Sequence, residues 1–365
     1  MSAPAVDLAL IGGGIIGLAC AYEAIARVPD ARVVILDRAG IGGGASDYAP
    51  GIQVRIGRTA QERAYSLAGQ QAWDSYFPGQ CYPAGRACDI YWVTEAPETF
   101  LKLHVDGNLA TVAASSLNQR LLPFSPLMTA RTPTVFTDRC TYSPVRNIVA
   151  TLRQRLADCG CEIREGREVS FLRPSDEAIE IDLADGGSVS ALSAIVALGP
   201  WLPSSPLIAS ADLIVPPRVK KVVSLHLAAQ PTPNCPAIGL PDDYAFLIPF
   251  IEEGYWLFSF TSTDWDVSPD EVGLALSPSD LKIAEAILSK WFATPPKSSS
   301  SRVFCDCYAA DGLPFVTTHR QSTRIAFVGG GAGNGFRFAP PIATRALDLL
   351  WPKDALQPVR AGDAR

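Results

Sequence analysis

Apolar residues fall along this chain in three patterns, and their order predicts the architecture. Short, mostly apolar runs at Val6–Ile11, Arg32–Leu36, Ala191–Leu198 and Arg324–Val328 read as buried strands of a parallel sheet. Helical spacing marks Leu18–Arg27, Ser143–Asp158 and Thr59–Phe77, the last with Tyr65, Leu67, Ala68, Ala72, Trp73 and Tyr76 on one side. Pro340–Leu350 reads as a helix with proline near its first turn. The third pattern is β-branched and aromatic: Val222–Leu227, Ala245–Phe250 and Tyr255–Thr261, separated by Pro, Asp and Gly, predict an antiparallel meander. Glu162–Leu172 and Ile179–Leu183 alternate as strands, with Asp185-Gly186 a turn. Residues 78–140 read as irregular, apart from short strands such as Ile90–Thr94. Ser268–Phe292 is expected to be partly helical from the start signal Ser277-Pro-Ser-Asp280, and Ser298–Ser301 a polar loop. Strand–helix units at both ends with sheet between them imply interleaving. One domain is expected from 1–77, 141–213 and 305–365, and a second from 78–140 and 214–304.

Chemistry enters at the turns. The first strand empties into Gly12-Gly-Gly-Ile-Ile-Gly17, a G-x-G-x-x-G spacing that includes Ile15 and Ile16. Gly12 permits the tight turn, Gly14 lets backbone approach a pyrophosphate, and Gly17 lets helix and strand pack closely. Phosphates would sit on the unpaired N–H groups at the helix start. Asp37 closes the second strand, where an acid accepts hydrogen bonds from an adenosine ribose. Strand, helix, strand and acid in that order indicate a dinucleotide site. A second glycine cluster, Gly40–Gly51, could add backbone donors and the Ser46 hydroxyl to the same pyrophosphate. A third, Gly329-Gly-Gly-Ala-Gly-Asn-Gly335, follows the last strand.

Composition narrows the class. With 48% apolar and 19% charged residues, the 365-residue chain is an ordinary globule of one large domain or two sharing a core. A formal charge of −6 without a basic run argues against a nucleic-acid partner. No apolar run reaches membrane-span length. The apolar N-terminus has no Lys or Arg before Asp7 and is interrupted by the glycine turn, so it is not read as a targeting signal. Nine cysteines, an odd number without a regular framework, point to reduced thiols and a cytoplasmic protein. His104, His226 and His319 read as structural, and no metal site is expected.

Taken together, these motifs resemble the D-amino-acid oxidase superfamily of FAD enzymes, most closely its glycine oxidase and monomeric sarcosine oxidase branch. The resemblance is carried by Gly12–Gly17 with Asp37, the turn through Ser46, Ala197-Leu-Gly-Pro-Trp201, Asp311-Gly-Leu-Pro314 and Gly331–Pro340. It implies a Rossmann-like FAD-binding domain interleaved with an antiparallel-sheet substrate domain. It further implies FAD held by Gly12, Gly14, Ile15, Ile16, Gly17, Asp37, Arg38, Gly44, Ala45, Ser46, Val169, Gly199 and Trp201. Gly331, Gly333, Asn334, Gly335, Phe336 and Arg337 would complete that set. The flavin ring would lie between Arg55 and the C-terminal glycine loop, near the positive end of the helix expected to start at Pro340.

In sarcosine oxidases an Arg-x-x-Arg stands where this chain has Arg55-Ile-Gly-Arg58, and a Gly-Phe-Lys where it has Gly335-Phe-Arg337. Arg58 and Arg337 thereby inherit the expected role of clamping a substrate carboxylate, with Arg55 beside them and Tyr255 lining the site. The lysine that promotes oxygen reaction in sarcosine oxidases has no counterpart in Gly254–Phe260. The cysteine that bonds their flavin corresponds to Cys305 or Cys307, and non-covalent FAD is the expectation.

The function implied is a cytoplasmic FAD amine oxidase. It would act on glycine or an N-substituted glycine by hydride transfer to flavin, imine hydrolysis to glyoxylate plus amine, and release of peroxide from O2. The arginines would also suit a larger secondary amine acid with a second carboxylate. The rivals are a dehydrogenase of the same fold using another acceptor, an NADPH-dependent flavin hydroxylase, and a non-catalytic nucleotide binder.

Overall fold

The computed structural model describes residues 6–78, 82–120, 133–271 and 274–352. Its N-terminal elements are β1 (Val6–Ile11), α1 (Ile15–Arg27), β2 (Val33–Asp37), α2 (Ala45–Tyr48) and α3 (Ala60–Tyr76). There follow β3 (Arg86–Thr94), α4 (Pro97–Leu103), β4 (Ala110–Val112), α5 (Ala114–Arg120), β5 (Thr134–Tyr142) and α6 (Val145–Asp158). Next come β6 (Glu162–Glu165), β7 (Val169–Pro174), β8 (Ile179–Leu183), β9 (Ser188–Val196), β10 (Arg218–Leu227), β11 (Ala237–Leu240), β12 (Ala245–Phe250) and β13 (Tyr255–Trp265). The chain continues through α7 (Pro278–Trp291), β14 (Ser298–Tyr308), β15 (Phe315–His319), β16 (Ser322–Gly329) and α8 (Gly335–Leu350).

Contacts divide the chain into two units. The first comprises residues 1–47, 149–217 and 307–365, the second 48–148 and 218–306. Residues 48–77, 141–148 and 305–306, which the sequence reading groups with the nucleotide domain, thus belong to the second unit, and 214–217, read as part of the substrate domain, belong to the first.

In the first unit the sheet runs β15-β16-β9-β1-β2-β6. β16, β9, β1, β2 and β6 are parallel, and the β7–β8 hairpin adds antiparallel to β9. The apolar runs read from sequence are its central strands, and Leu8, Leu10, Val34, Ile35, Ala194, Ile195 and Phe327 are fully buried. Helices α1 and α8 pack together, and the Arg27 guanidinium joins them by donating to Asp348 at 2.8 Å and to the Thr344 carbonyl at 3.2 Å. Glu162–Leu172 is not one strand: Gly166 turns with φ 69° and splits it into β6, paired with β2, and β7, paired with β8.

In the second unit the sheet order is β14-β10-β13-β12-β11-β3-β5-β4. The predicted meander holds from β10 through β13, but β11 pairs parallel with β3. The stretch read as irregular thus supplies three strands and two helices, with 79–81 and 121–132 outside the described residues. Ser298–Ser301, expected as a loop, opens β14. Its hydroxyls mask it as loop sequence, yet Ser299 donates to the His226 carbonyl at 3.1 Å and Ala228 N–H to the Lys297 carbonyl at 2.8 Å.

One face of this sheet carries Val223, Leu225, Leu227, Trp256, Phe258 and Phe260, buried with Ala284, Leu288 and Trp291 of α7. That helix starts at the predicted signal, because Ser277 and Asp280 cap each other's backbone N–H groups reciprocally. Among the described residues no helix is long and apolar enough to cross a membrane, no three His, Cys, Asp or Glu residues cluster for a metal, and no disulfide joins the eight cysteines.

Candidate active site

The nucleotide end of the first unit is built by backbone. Gly12 has φ 106°, and a Cβ there would lie 2.4 Å from the Ala197 carbonyl oxygen; at Gly17 a Cβ would lie 2.0 Å from the Gly12 carbonyl oxygen. The protein's own packing therefore demands both glycines. Gly14 is different. Its φ of −72° and ψ of 177° suit any residue, and the nearest atom to an added Cβ is Ser46 Oγ at 3.5 Å. Nothing among the described residues requires glycine there, and the bare backbone leaves room for a ligand to approach.

Helix α1 begins at this point with a glycine as its N-cap and no acid in its first turn, so apart from the one N–H that Ser46 takes its positive end can meet an anion. Ser46 Oγ accepts the Ile15 N–H at 3.0 Å, so the second glycine cluster meets the first, and Gly42 N–H donates to the Gly13 carbonyl at 2.9 Å. Asp37 accepts the Gly13 N–H at 2.8 Å and the Ala39 N–H at 2.9 Å. Each carboxylate oxygen keeps a lone pair for a ribose hydroxyl. Arg38 lies 4.8 Å from the centre of the Trp201 ring, against which a Cβ on Gly44 would clash at 2.6 Å. Ala45 opens α2, Gly199 turns with φ 54° beside Trp201, and Val169 is buried on β7.

The third glycine loop lies in the same unit. Gly331 bridges to Tyr308, Ala332 N–H donates to the Cys307 carbonyl at 3.1 Å, and Asn334 N–H to the Gly331 carbonyl at 2.7 Å. Helix α8 starts at Gly335 and not at Pro340, so Phe336 and Arg337 lie in its first turn and both prolines lie inside it. The prolines cannot donate to the carbonyls of Phe336 and Arg337; ending those bonds one turn in, the helix still continues along α1. Gly335 is similar: among the described residues no atom outside its own turn of helix lies within 4 Å of a Cβ added there. Arg337 is 8% exposed and donates to Asn334 Oδ1. A buried cation at the positive end of a helix opposes the macrodipole, which its helix alone does not explain.

The remaining candidates belong to the second unit. Arg55 pairs with Asp106 at 2.7 Å, while its buried Nε has no hydrogen-bond partner. Arg58 is gripped by Glu62, with Nε 3.0 Å from Oε1, and Glu62 is 3% exposed. That partner was legible as an i, i+4 pair at the head of α3.

Tyr255 belongs to an aromatic row crossing the sheet. Its ring stacks on His226 at 4.0 Å and on Phe250 at 5.6 Å, and Phe250 meets Tyr142 at 5.6 Å. The Tyr255 hydroxyl accepts from Arg302 at 3.3 Å, and Ser300 Oγ is 2.7 Å from His226 Nδ1. Burial, with Arg302 and Arg146 nearby, pushes the His226 pKa down to about 4, so the ring is neutral at pH 7. His226, Ser300 and Arg302 were missed by sequence reasoning, because only strand register reveals that they share a face with Tyr255.

Cys305 is buried, and burial, Asp306 and Glu271 push its thiol up to about 11, away from the reactive thiolate. By strand alternation Cys305 and Cys307 share the face of Val303, which packs on the α7 core, opposite the face of Ser300 and Arg302.

Solved structures of similar fold span nearly the whole chain. The glycine oxidase of Geobacillus kaustophilus matches at 17% identity and a TM-score of 0.76, covering 94% of each chain. The L-α-glycerophosphate oxidase of Mycoplasma pneumoniae, solved with FAD bound, matches at 14% identity and 0.80, covering 96% of this chain and 95% of its own. The L-amino acid deaminase of Proteus vulgaris matches at 17% identity and 0.73, covering 96% and 90%. Comparison with curated proteins by sequence finds no match. The glycine-built cradle fits FAD, and residues 7–349 match the family described as FAD dependent oxidoreductase (DAO): the chain belongs to that family of FAD-dependent enzymes.

Proposed function

We propose that the protein oxidises the α-C–N bond of an amine-bearing carboxylic acid, glycine or an N-substituted glycine, giving glyoxylate and an amine. The observation that carries this reading is Arg337: a buried guanidinium in the first turn of α8, in the same unit as the FAD cradle and two residues past its third glycine loop. An anionic ligand explains a cation kept there against the helix dipole, and a guanidinium takes a carboxylate in two parallel hydrogen bonds. Bound FAD supplies the two-electron acceptor for the hydride leaving the substrate carbon.

The side chains do the rest by position. Arg337 orients the carboxylate. In the second unit the fork of Arg58 is already shared with Glu62, and Tyr255 and His226 present a stacked aromatic face. Holding the carbon in register is a proximity effect and requires no catalytic base, since the amine enters neutral and water hydrolyses the imine product. O2 is the proposed final acceptor.

The test is an anaerobic titration of purified holoprotein with glycine, sarcosine and larger N-alkyl glycines, watching the flavin absorbance. Bleaching by at least one of them is expected, and admission of air should restore the band with peroxide formed. A flavin that dithionite reduces and no amine acid does would remove the proposal. Slow recovery in air with fast recovery on an artificial acceptor would favour the dehydrogenase.

A further inference from the structure

The second unit holds a cluster that the carboxylate clamp leaves unused. β14, β10 and β13 are neighbours in the sheet, and Arg302, His226 and Tyr255 form a row across them. Arg302 is an arginine for which no acid partner exists among the described residues; it donates only to the Tyr255 hydroxyl. Arg146, the next cation, is 3.4 Å from Glu253, and Arg58 and Arg55 have Glu62 and Asp106. His226 is 8% exposed, and its Nε2 is buried without a hydrogen-bond partner. Two residues along the same strand face, Ser224 is 3% exposed and its Oγ is likewise unpartnered. Two buried polar atoms on one face without a protein partner point to a ligand that would supply one.

The groups available there are donors. Arg302 has N–H groups beyond the one used on Tyr255. Burial raises the Tyr255 pKa, so its phenol stays protonated and can donate while accepting from Arg302. If Ser300 donates its hydroxyl proton to His226 Nδ1, Nε2 carries the ring proton and points it outward as a third donor. One guanidinium with neutral donors suits an acceptor-only ligand of single negative charge.

We propose that Arg302, Tyr255 and His226, all in the second unit, form a binding site for a carboxylate, and that the substrate class is N-carboxyalkyl glycines, which carry a second one. This assignment rests on the amine-acid reading above. Glycine and sarcosine would leave the subsite empty and be poor substrates.

The experiment compares N-(2-carboxyethyl)glycine with N-(2-carbamoylethyl)glycine, its near-isostere without the charge, in the wild-type holoenzyme and in Arg302→Met and Arg302→Lys. The wild type should favour the diacid in kcat/KM by about 10- to 100-fold, the range of a charge-assisted hydrogen bond. Arg302→Met should bring that ratio close to one, chiefly through KM, and Arg302→Lys should restore part of it. Tyr255→Phe, which deletes one donor and keeps the ring, covers the case that Arg302→Met fails to fold; it should lower the ratio about fivefold. Equal turnover of both substrates by the wild type would overturn the proposal. So would equal losses for both in Arg302→Met, since that would give Arg302 the α-carboxylate or a structural role.

Calorimetric titration with glutarate against butyrate separates the two readings. If no amine acid reduces the flavin yet glutarate binds more tightly and loses that advantage in Arg302→Met, the amine chemistry falls and the subsite stands. If glutarate shows no advantage, the subsite falls whatever the amines do.

Discussion

The two units prepare for ligands by different means. In the first, the cradle is main chain: glycine turns, helix starts and one acid that fixes a loop. In the second, a sheet face presents side chains: one arginine, one imidazole, a phenol and hydroxyls. A backbone cradle recognises what every FAD has in common, its pyrophosphate and ribose, and tolerates little change in sequence. A side-chain face can be retuned one residue at a time, and it is where substrate choice is expected to reside. The contrast can be broken by mutation, and the largest effects belong to the backbone.

Gly14 and Gly17 separate a ligand's demand from the fold's. Gly17→Ala places a Cβ 2.0 Å from the Gly12 carbonyl oxygen and should yield little folded protein. Gly14→Ala meets only Ser46 Oγ at 3.5 Å, so its far-UV spectrum and apo-protein melting should match the wild type. FAD affinity should nonetheless fall by about tenfold or more, read from flavin absorbance per protein after gel filtration. Undiminished FAD in folded Gly14→Ala would deny that the backbone there meets the cofactor.

The second unit has its own large term on the α7 side of its sheet. Lys221 is almost buried and pairs with Asp264 and with Asp280, the latter at 2.8 Å; Asp280 is 1% exposed. Lys221→Met strands Asp280 as an uncompensated buried charge and should cost about 3–5 kcal/mol in chemical denaturation. Lys221 and the Ser277 N–H hold the Asp280 carboxyl below its ordinary 3.8 despite burial, so this stabilisation is full above pH 3.8 and lost as pH falls through the lowered value. A loss under 1 kcal/mol would mean that water already solvates the pair.

Next in size is the proposed carboxylate clamp. Arg337→Met should lower kcat/KM for the amine acid by about 10- to 150-fold, the equivalent of a charge-assisted hydrogen bond of 1.5–3 kcal/mol. Arg58→Met should cost less, because Glu62 already holds that fork. A larger loss at Arg58 than at Arg337 would move the clamp into the second unit.

How much of this was visible in the sequence follows from the same contrast. Glycine spacing, Asp37, the Thr59 start of α3 and the Ser277–Asp280 capping box are local, so residue order alone located them. The Arg302 row is not local. It depends on β14 lying beside β10, and its opening serines carry no strand signal of their own; their partners are carbonyls and an imidazole on a strand some 70 residues away. The parallel β11–β3 pairing was hidden for the same reason. Pro340 misled because proline is usual in a first turn, whereas here the first turn belongs to Gly335–Arg337.

The smallest effect tests the side-chain face at its most specific point. An unfolded histidine titrates near 6.5, and His226 in the fold near 4. Between these values the unfolded chain binds the additional proton, so stability attributable to His226 is complete above 6.5 and declines as pH falls toward about 4. Carboxylates begin to titrate in the lower part of that window, which makes pH 5.5–6.5 the useful interval. His226→Leu keeps a buried apolar side chain and removes that titration, and should reduce the slope of the melting temperature across it, leaving the part due to His319, whose pKa burial also lowers. The groups facing the ring are Tyr255, Ser300, Arg302 and Arg146, with Glu253 on Arg146. An anion on Arg302 would weaken the repulsion that helps keep the ring neutral, so saturating glutarate should shallow the wild-type slope and leave that of Arg302→Met unchanged. Identical slopes in the wild type with and without glutarate would show that no negative charge settles beside the imidazole.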